Sequence, residues 1–545
     1  MFSSNDIRVV VSIDFGSTYS GYAYSNKTHP QIITNSAWPG LIGKFKINTV
    51  LQYDENFKNV KYWGHQALSK KPSGNNTIDD NSDSKDEDQI VELFKLHLSE
   101  KIPVEEQPKL PDGLDSTKAI TDYLHIIGSW PGINFKKNVL LILTVPSEWS
   151  EQAKHTMRKC AYDAKLTNIK SSSHLQIITE PEAAAIYCRK LMRKKFFRIT
   201  GKKYLIVDCG GGTVDLTMRQ LLPKNRLGEV TECSGDLCGG SFVDLEFVKY
   251  IGRKVGVNAI KSLKEKKYGQ YQYMIQRFCD NVKFKFDGGD EDVEYDFDIE
   301  EICPALKDYI ADSQKDQLKE DEWLINLDYE TIKSFFDPVI GRIIRLIRSQ
   351  LEASNGDCSA IFLVGGFSES LYLKKRIKEE FKKKQYVSIV SVPSEPACAI
   401  VRGAVEYGLN KDVIKNRVLK YNYGIVVKKP WTCEFPVARR EECGNVRLMR
   451  WMATKGQQVK VGQKFSTYFR MSHEYQTHVI VDLYISDNIT TYSDEPGVYK
   501  LGKFTVEVPD VHLGKNRRTE YELCFDQDEI TATTKTHNGN SISRS

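Results

Sequence analysis

The stretch Val9-Val10-Val11-Ser12-Ile13-Asp14-Phe15-Gly16-Ser17-Thr18 reads as a buried strand that ends in an acid and then in small residues. Two further stretches share this design. Asp208-Cys209-Gly210-Gly211-Gly212-Thr213-Val214-Asp215 follows the short apolar run Tyr204 to Val207, and Val364-Gly365-Gly366-Phe367-Ser368 closes the run that starts at Ser359. A polyphosphate needs backbone N–H groups and hydroxyls aimed at it from close range, and glycine permits that approach. An Asp at a strand end can hold Mg2+ through water. One strand-then-glycine turn often only reverses the chain, but three in one region point to a phosphate site. None has the spacing G-x-x-x-x-G-K-[ST] or G-x-G-x-x-G, so neither a P-loop nor a dinucleotide fingerprint is indicated.

Around these turns, strand and helix patterns alternate from about 115 to 220, which marks an α/β region. Val139 to Val145 reads as a buried parallel-type strand, followed by a helix over 148–165. Residues 240–350 are more helical. There Asp337 caps and Pro338 opens a helix over 338–352, with Ile340, Ile343, Ile344, Ile347 and Leu351 on one face. Residues 70–90, with Asp79-Asp80, Asp83 and Asp86-Glu87-Asp88, read as an exposed insertion. After about 410, alternation dominates: Val479, Val481, Leu483, Ile485, then Phe504, Val506, Val508, then Tyr521, Leu523, Phe525. Turns at Glu495-Pro496-Gly497 and Asn538-Gly539 complete the pattern of an all-β module.

A chain of 545 residues exceeds one core, so three or four structural units grouped in two larger modules are expected. Its 77 basic and 72 acidic residues nearly balance, which argues against a dedicated nucleic-acid partner. No apolar run is long enough to span a membrane, and Met1 to Arg8 lacks a signal pattern, so the cytoplasmic compartment is the default. The 12 cysteines are scattered, and Cys233-x4-Cys238 has no matching second pair. Reduced core thiols are expected rather than zinc.

Taken together, the motifs resemble the actin, sugar-kinase and heat-shock ATPases, and most closely the 70-kDa heat-shock family. The matching words are Ile13-Asp14-Phe15-Gly16-Ser17-Thr18-Tyr19-Ser20, Thr144-Val145-Pro146, Ile178-Thr179-Glu180-Pro181-Glu182-Ala183-Ala184-Ala185, Asp208 to Asp215, and Leu363 to Ser368. The acidic insertion resembles the divergent 12A-type branch. The resemblance implies a two-lobed actin-like nucleotide-binding domain over 1–410, a duplicated ribonuclease-H-like fold. Lobe I would cover about 1–200 and 360–410, and lobe II about 201–359. It further implies ATP or ADP with Mg2+. Asp14 and Asp208 would orient the metal and its waters. Gly16, Ser17, Thr18 and Tyr19 would meet the phosphates together with Gly210, Gly211 and Gly212. Thr213 would sit near the γ-phosphate, Glu180 and Asp215 would polarise the attacking water, and Lys95 would be the catalytic lysine. Gly365, Gly366 and Phe367 would lie under the ribose and adenine, with Lys283 on the ribose.

Read without the resemblance, Lys95 is a solvated lysine on an amphipathic helix and Glu180 is a helix start before Pro181. Phe284 stands where the family has a stacking arginine, and either purine stacking or core packing explains it. Asp287 replaces a small hydroxyl residue, and Glu369-Ser370 replaces part of a basic sandwich. The adenine side thus departs from the family more than the phosphate side does. No serine or cysteine nucleophile has an evident base, so slow turnover resting on positioning and charge is expected.

Residues 411–545 resemble the family's β-sandwich peptide-binding domain through Tyr492 to Val498, Leu501-Gly502-Lys503-Phe504 and Tyr521 to Asp526. The sequence stops where a helical lid would begin. Implied partners are extended or unfolded peptides at 411–545, and co-chaperones. The segment Lys411 to Tyr421 is basic where the family has a leucine-rich, acid-flanked linker. The leading reading is a slow, chaperone-like ATPase. The alternative is a non-hydrolysing ATP sensor or scaffold with a protein-docking β module. A small-molecule kinase on the same fold is more remote.

Overall fold

The computed structural model describes residues 7–68, 89–100, 102–129, 135–195, 200–382, 387–471, 473–508, 511–526, 530–535 and 541–544. Of the stretch 70–90, residues 70–88 lie outside the described residues, as does the Asn538-Gly539 turn, while Gln89 and Ile90 belong to the strand Gln89–Glu92, antiparallel to Val50–Tyr53, and so are not part of an exposed insertion. The chain is mixed α/β with several sheets, and it divides into two compact units. One comprises Met1–Thr217 and Ser234–Lys411, the other Met218–Cys233 and Asp412–Ser545. Residues 218–233, read in the sequence as part of the nucleotide-binding region, therefore count with the second unit.

Two sheets repeat one arrangement. In the first, Val9–Asp14 runs parallel to Val139–Val145, which runs parallel to Leu175–Thr179. On its other side Val9–Asp14 turns back into the antiparallel strand Tyr19–Asn26. In the second, Lys203–Cys209 runs parallel to Ala360–Val364, which runs parallel to Ile389–Ser391. On its other side it turns back into Val214–Leu222, its neighbour in the sheet. Val139–Val145 is buried at every position, as a parallel strand covered on both faces must be.

Helix boundaries follow local chemistry. Ser150 caps Glu151–Asp163 by accepting the Ala153 N–H. Before Glu180–Lys195, Thr179 Oγ1 accepts the Glu182 N–H at 3.4 Å and donates to the Glu182 carboxylate at 3.1 Å, which pins the first turn. The expectation of a helix starting at Pro338 is corrected. The helix is Tyr329–Ala353, capped by Asp328, and Pro338 lies inside it. Ile332, Phe335 and Phe336 extend the buried face toward the N-terminus, and that burial outweighs the hydrogen bond the proline cannot donate. Asp337, released from capping, accepts from Tyr372 Oη at 3.0 Å and pairs with Arg376.

In the second unit, Asn445–Ala453, Asn422–Pro430, His478–Ser486 and Val498–Glu507 form one four-stranded sheet. Gln463–Arg470, Arg518–Phe525, Ile530–Lys535 and Ser541–Arg544 form another. Ile425, Val427, Leu448 and Leu483 of the first share a hydrophobic cluster with Tyr521, Leu523 and Phe525 of the second. The segment read as a linker supplies the strand Ile414–Val418, parallel to Arg226–Glu229. Glu229 anchors it, accepting the Val418 N–H at 2.8 Å and the buried Arg219 guanidinium at 3.2 Å. Among the described residues no helix is long and apolar enough to cross a membrane.

Candidate functional site

Each of the three small-residue turns begins where a buried strand ends, and they meet in the first unit. A Cβ on Gly211 would lie 2.0 Å from Thr18 Oγ1, and one on Gly212 would lie 3.8 Å from Ser17 Cβ. The third turn joins at Gly365, which has φ +82°; a Cβ there would fall 2.4 Å from Asp208 Oδ1. Only glycine combines that angle with that approach. Ser17, Thr18, Asp208, Gly211, Gly212 and Gly365 are thus brought together.

The direction of the turn amides follows from where the carbonyls go. Those of Gly210, Gly211 and Gly212 accept the N–H groups of Gly240, Ser241 and Gly239 at 3.0, 2.9 and 3.1 Å. In a planar trans peptide the next N–H points the opposite way. The amides of Gly211, Gly212 and Thr213 therefore face away from 239–241 as three successive donors, the makings of an anion nest. In the first turn the Thr18 carbonyl accepts the Thr49 N–H at 2.8 Å, which turns the Tyr19 N–H the other way. Gly239 and Gly240 were missed in the sequence reading. Their signal was a Gly-Gly pair directly before the amphipathic helix Ser241–Val255.

Four carboxylates converge on the same place. Asp14 is set opposite Thr144 by the parallel register and accepts its hydroxyl at 3.0 Å. Asp14 also accepts Lys46 Nζ at 2.6 Å, a lysine the sequence reading did not single out. Glu180, at the start of its helix, accepts Lys95 Nζ at 2.8 Å. Lys95 is not solvated: it is 3% exposed and lies over the rings of Phe15 and Trp149. Asp215 accepts the Ser147 hydroxyl at 2.7 Å and the Ser147 N–H at 3.3 Å. Burial pushes Glu180 up to about 7 against the pull of Lys95, with Asp14 and Asp215 adding to the rise. Burial, with Glu180 and Asp215 beside it, holds Asp208 well above the usual carboxylate range. Burial raises Asp215 too, although Ser147 and Thr213 donate hydrogen bonds that favour its charged form.

Asp208 Oδ1 is buried and has no hydrogen-bond partner. Among the described residues no three His, Cys, Asp or Glu side chains converge to ligate a metal directly. An orphaned carboxylate oxygen with no direct ligand cage fits a magnesium ion held through water, as that ion prefers.

The residues expected around adenine are more committed to their own contacts. Lys283, in the π-helical turn Cys279–Lys283, is buried and paired with Asp244 at 2.7 Å. It also lies 5.7 Å from the Phe367 ring centroid, beside the third turn. Phe284 is half-buried beside it. Asp287 is exposed and accepts the Gly289 N–H at 2.8 Å, so its carboxylate closes a turn. Ser370 caps the helix Leu371–Ile377.

A family model described as a domain of unknown function (DUF8340) matches residues 200–391. Over 96% of its length the chain is 25% identical to heat shock 70 kDa protein 12A of Mus musculus, covering 89% of that protein. It is 24% identical to heat shock 70 kDa protein 12B of Homo sapiens over 93% of the chain and 85% of that protein. A chaperone protein HscA homolog of Rickettsia bellii is 26% identical over 48% of the chain and 35% of its own length.

Proposed function

For a chain whose homologues are the heat-shock 70-kDa proteins 12A and 12B, in support of the divergent 12A-type branch of that family, we propose slow, magnesium-dependent ATP hydrolysis coupled to protein or peptide binding. The observation that carries this reading is the approach of Thr18 to Gly211, together with the buried, unpartnered Asp208 Oδ1 that packs against Gly365. Repetition of one strand-turn-strand arrangement in two sheets favours a two-lobed, duplicated ribonuclease-H-like domain over 1–410. The shared cluster of the two C-terminal sheets favours a β-sandwich over 411–545 that takes extended peptides. Cytosolic location and co-chaperone partners belong to the same reading.

In this reading Ser17, Thr18, Tyr19 and the amides of Gly211 to Thr213 hold the β- and γ-phosphates. Gly16 and Gly210 shape their turns, and Gly365, Gly366 and Phe367 floor the adenosine beside Lys283 and Phe284. Magnesium, when bound at Asp14 and Asp208, would neutralise the phosphate oxygens. Glu180 and Asp215 hold the attacking water. Lys95 fixes Glu180, and Ser147 with Thr213 orients Asp215. Positioning and charge supply the rate, which suits a switch.

The test is ATP binding by calorimetry and turnover, for wild type and Asp208→Asn, with and without an extended hydrophobic peptide. Peptide-stimulated turnover that Asp208→Asn abolishes supports the reading. Binding with no turnover supports the second reading, a non-hydrolysing ATP sensor or scaffold, which the commitment of Lys283 to Asp244 favours. Absence of ATP binding rejects both.

A further inference from the structure

Lys46 is a second cation at this site, and its backbone is fastened to the first phosphate turn. The strand Ile47–Asn48 pairs with Tyr19 and Ser20. Thr49 N–H donates to the Thr18 carbonyl at 2.8 Å, and the Thr49 and Ser20 hydroxyls lie 2.7 Å apart. Ser20 Oγ in turn accepts the Gly16 N–H at 3.2 Å. The segment that delivers Lys46 therefore moves with Gly16, Thr18 and Tyr19. Its Nζ ends 2.6 Å from Asp14 Oδ2.

The two lysines of the site differ in freedom. Lys95 is sealed and held by Glu180. The Lys46 side chain is 18% exposed while Asp14 is 2% exposed, so Lys46 is the cation on the solvent side of the pair. Asp14, Glu180, Asp208 and Asp215 already outnumber the two lysines, and a polyphosphate entering among them needs positive charge close by. A lysine is a compact charge on a flexible stem and a common phosphate binder.

Resting on the ATP-binding reading, we infer that Lys46 is a phosphate-binding residue that exchanges Asp14 for an oxygen of the terminal phosphate, and that it lets this chain retain ATP when the divalent ion is removed. The exchange breaks one ion pair and forms another, with no covalent step. ADP, which lacks the terminal group, gains less from it.

Calorimetric titration of the full chain with ATP and with ADP, in excess Mg2+ and in EDTA, tests this. Removal of Mg2+ is expected to weaken ATP binding to wild type less than about tenfold. In EDTA, Lys46→Met is expected to bind ATP more than about tenfold more weakly than wild type, with a smaller change for ADP, while Lys46→Arg stays close to wild type. Thermal melting checks that the variants fold, and the wild-type titrations test the idea with no variant at all. Equal ATP binding by wild type and Lys46→Met in EDTA overturns it. So does a wild type that binds ATP with Mg2+ and loses it in EDTA, which leaves the ATP-binding reading standing. A wild type that binds no ATP in Mg2+ overturns both.

Discussion

A Cβ on Gly211 would stand 2.0 Å from Thr18 Oγ1, whereas one on Gly212 would stand 3.8 Å from Ser17 Cβ. The two turns touch at the first position and leave ordinary contact distance at the second. Gly211→Ala must push Thr18 aside and is expected to weaken ATP binding by about tenfold or more, near 1.4 kcal/mol. Gly212→Ala is expected to cost less. Isothermal titration of both variants checks the order; a reversed order would show that the turns do not act as one clamp.

Removing Lys95 leaves Glu180 buried without its cation. Lys95→Met is expected to abolish turnover and to cost roughly 3–5 kcal/mol of stability, the usual penalty for breaking a buried pair. Without Lys95 the Glu180 carboxyl takes up a proton at neutral pH, so the cost is expected to grow as the pH rises above about 7; adding Glu180→Gln is expected to remove that growth and to restore none of the turnover. Denaturant unfolding beside an ATPase assay separates the two effects.

Glu180 also predicts a pH dependence. Its folded pKa is raised from 4.5 to about 7, chiefly by burial. The folded protein then holds the proton more tightly than the unfolded chain. That contribution is complete below 4.5 and is lost as the pH rises through about 7. Glu180→Gln carries no such proton. The melting temperature of the variant relative to wild type is expected to climb between about pH 5 and 8. Parallel curves would remove Glu180 as the source.

Pro338 sits on the exposed side of the helix Tyr329–Ala353, where it cannot donate to the preceding turn. Pro338→Ala is expected to stabilise the protein by roughly 1–3 kcal/mol, offset in part by the freer unfolded chain. Unchanged ATP binding in the same variant would place the proline outside the nucleotide site.

The strands were legible because their runs are locally unambiguous: Val139–Val145 is apolar throughout, and no helix boundary interrupts it. The three turns were legible because the same run of small residues follows three strands, where a single such turn would only reverse the chain. Pro338 misled because a proline at a helix start is the common case, and the burial of Phe335 and Phe336 that overrides it is a tertiary fact. Lys46 escaped notice for a related reason. Its place depends on a two-residue strand pairing with Tyr19 and Ser20, and two residues carry no periodicity. Gly239 and Gly240 had a local signal, but their bond to the Gly210–Gly212 carbonyls joins segments about thirty residues apart.

The cap at Thr179 and Glu182 has one more consequence. Glu180 is the first residue of its helix, so its carboxylate is held only while that first turn stays formed. Helix ends open locally more often than helix middles. Fraying there would release the Lys95 pair without unfolding anything else. The exchange rate of the Glu182 amide with deuterated solvent, two residues from Glu180, would therefore report how much of the time the Lys95 pair stands assembled.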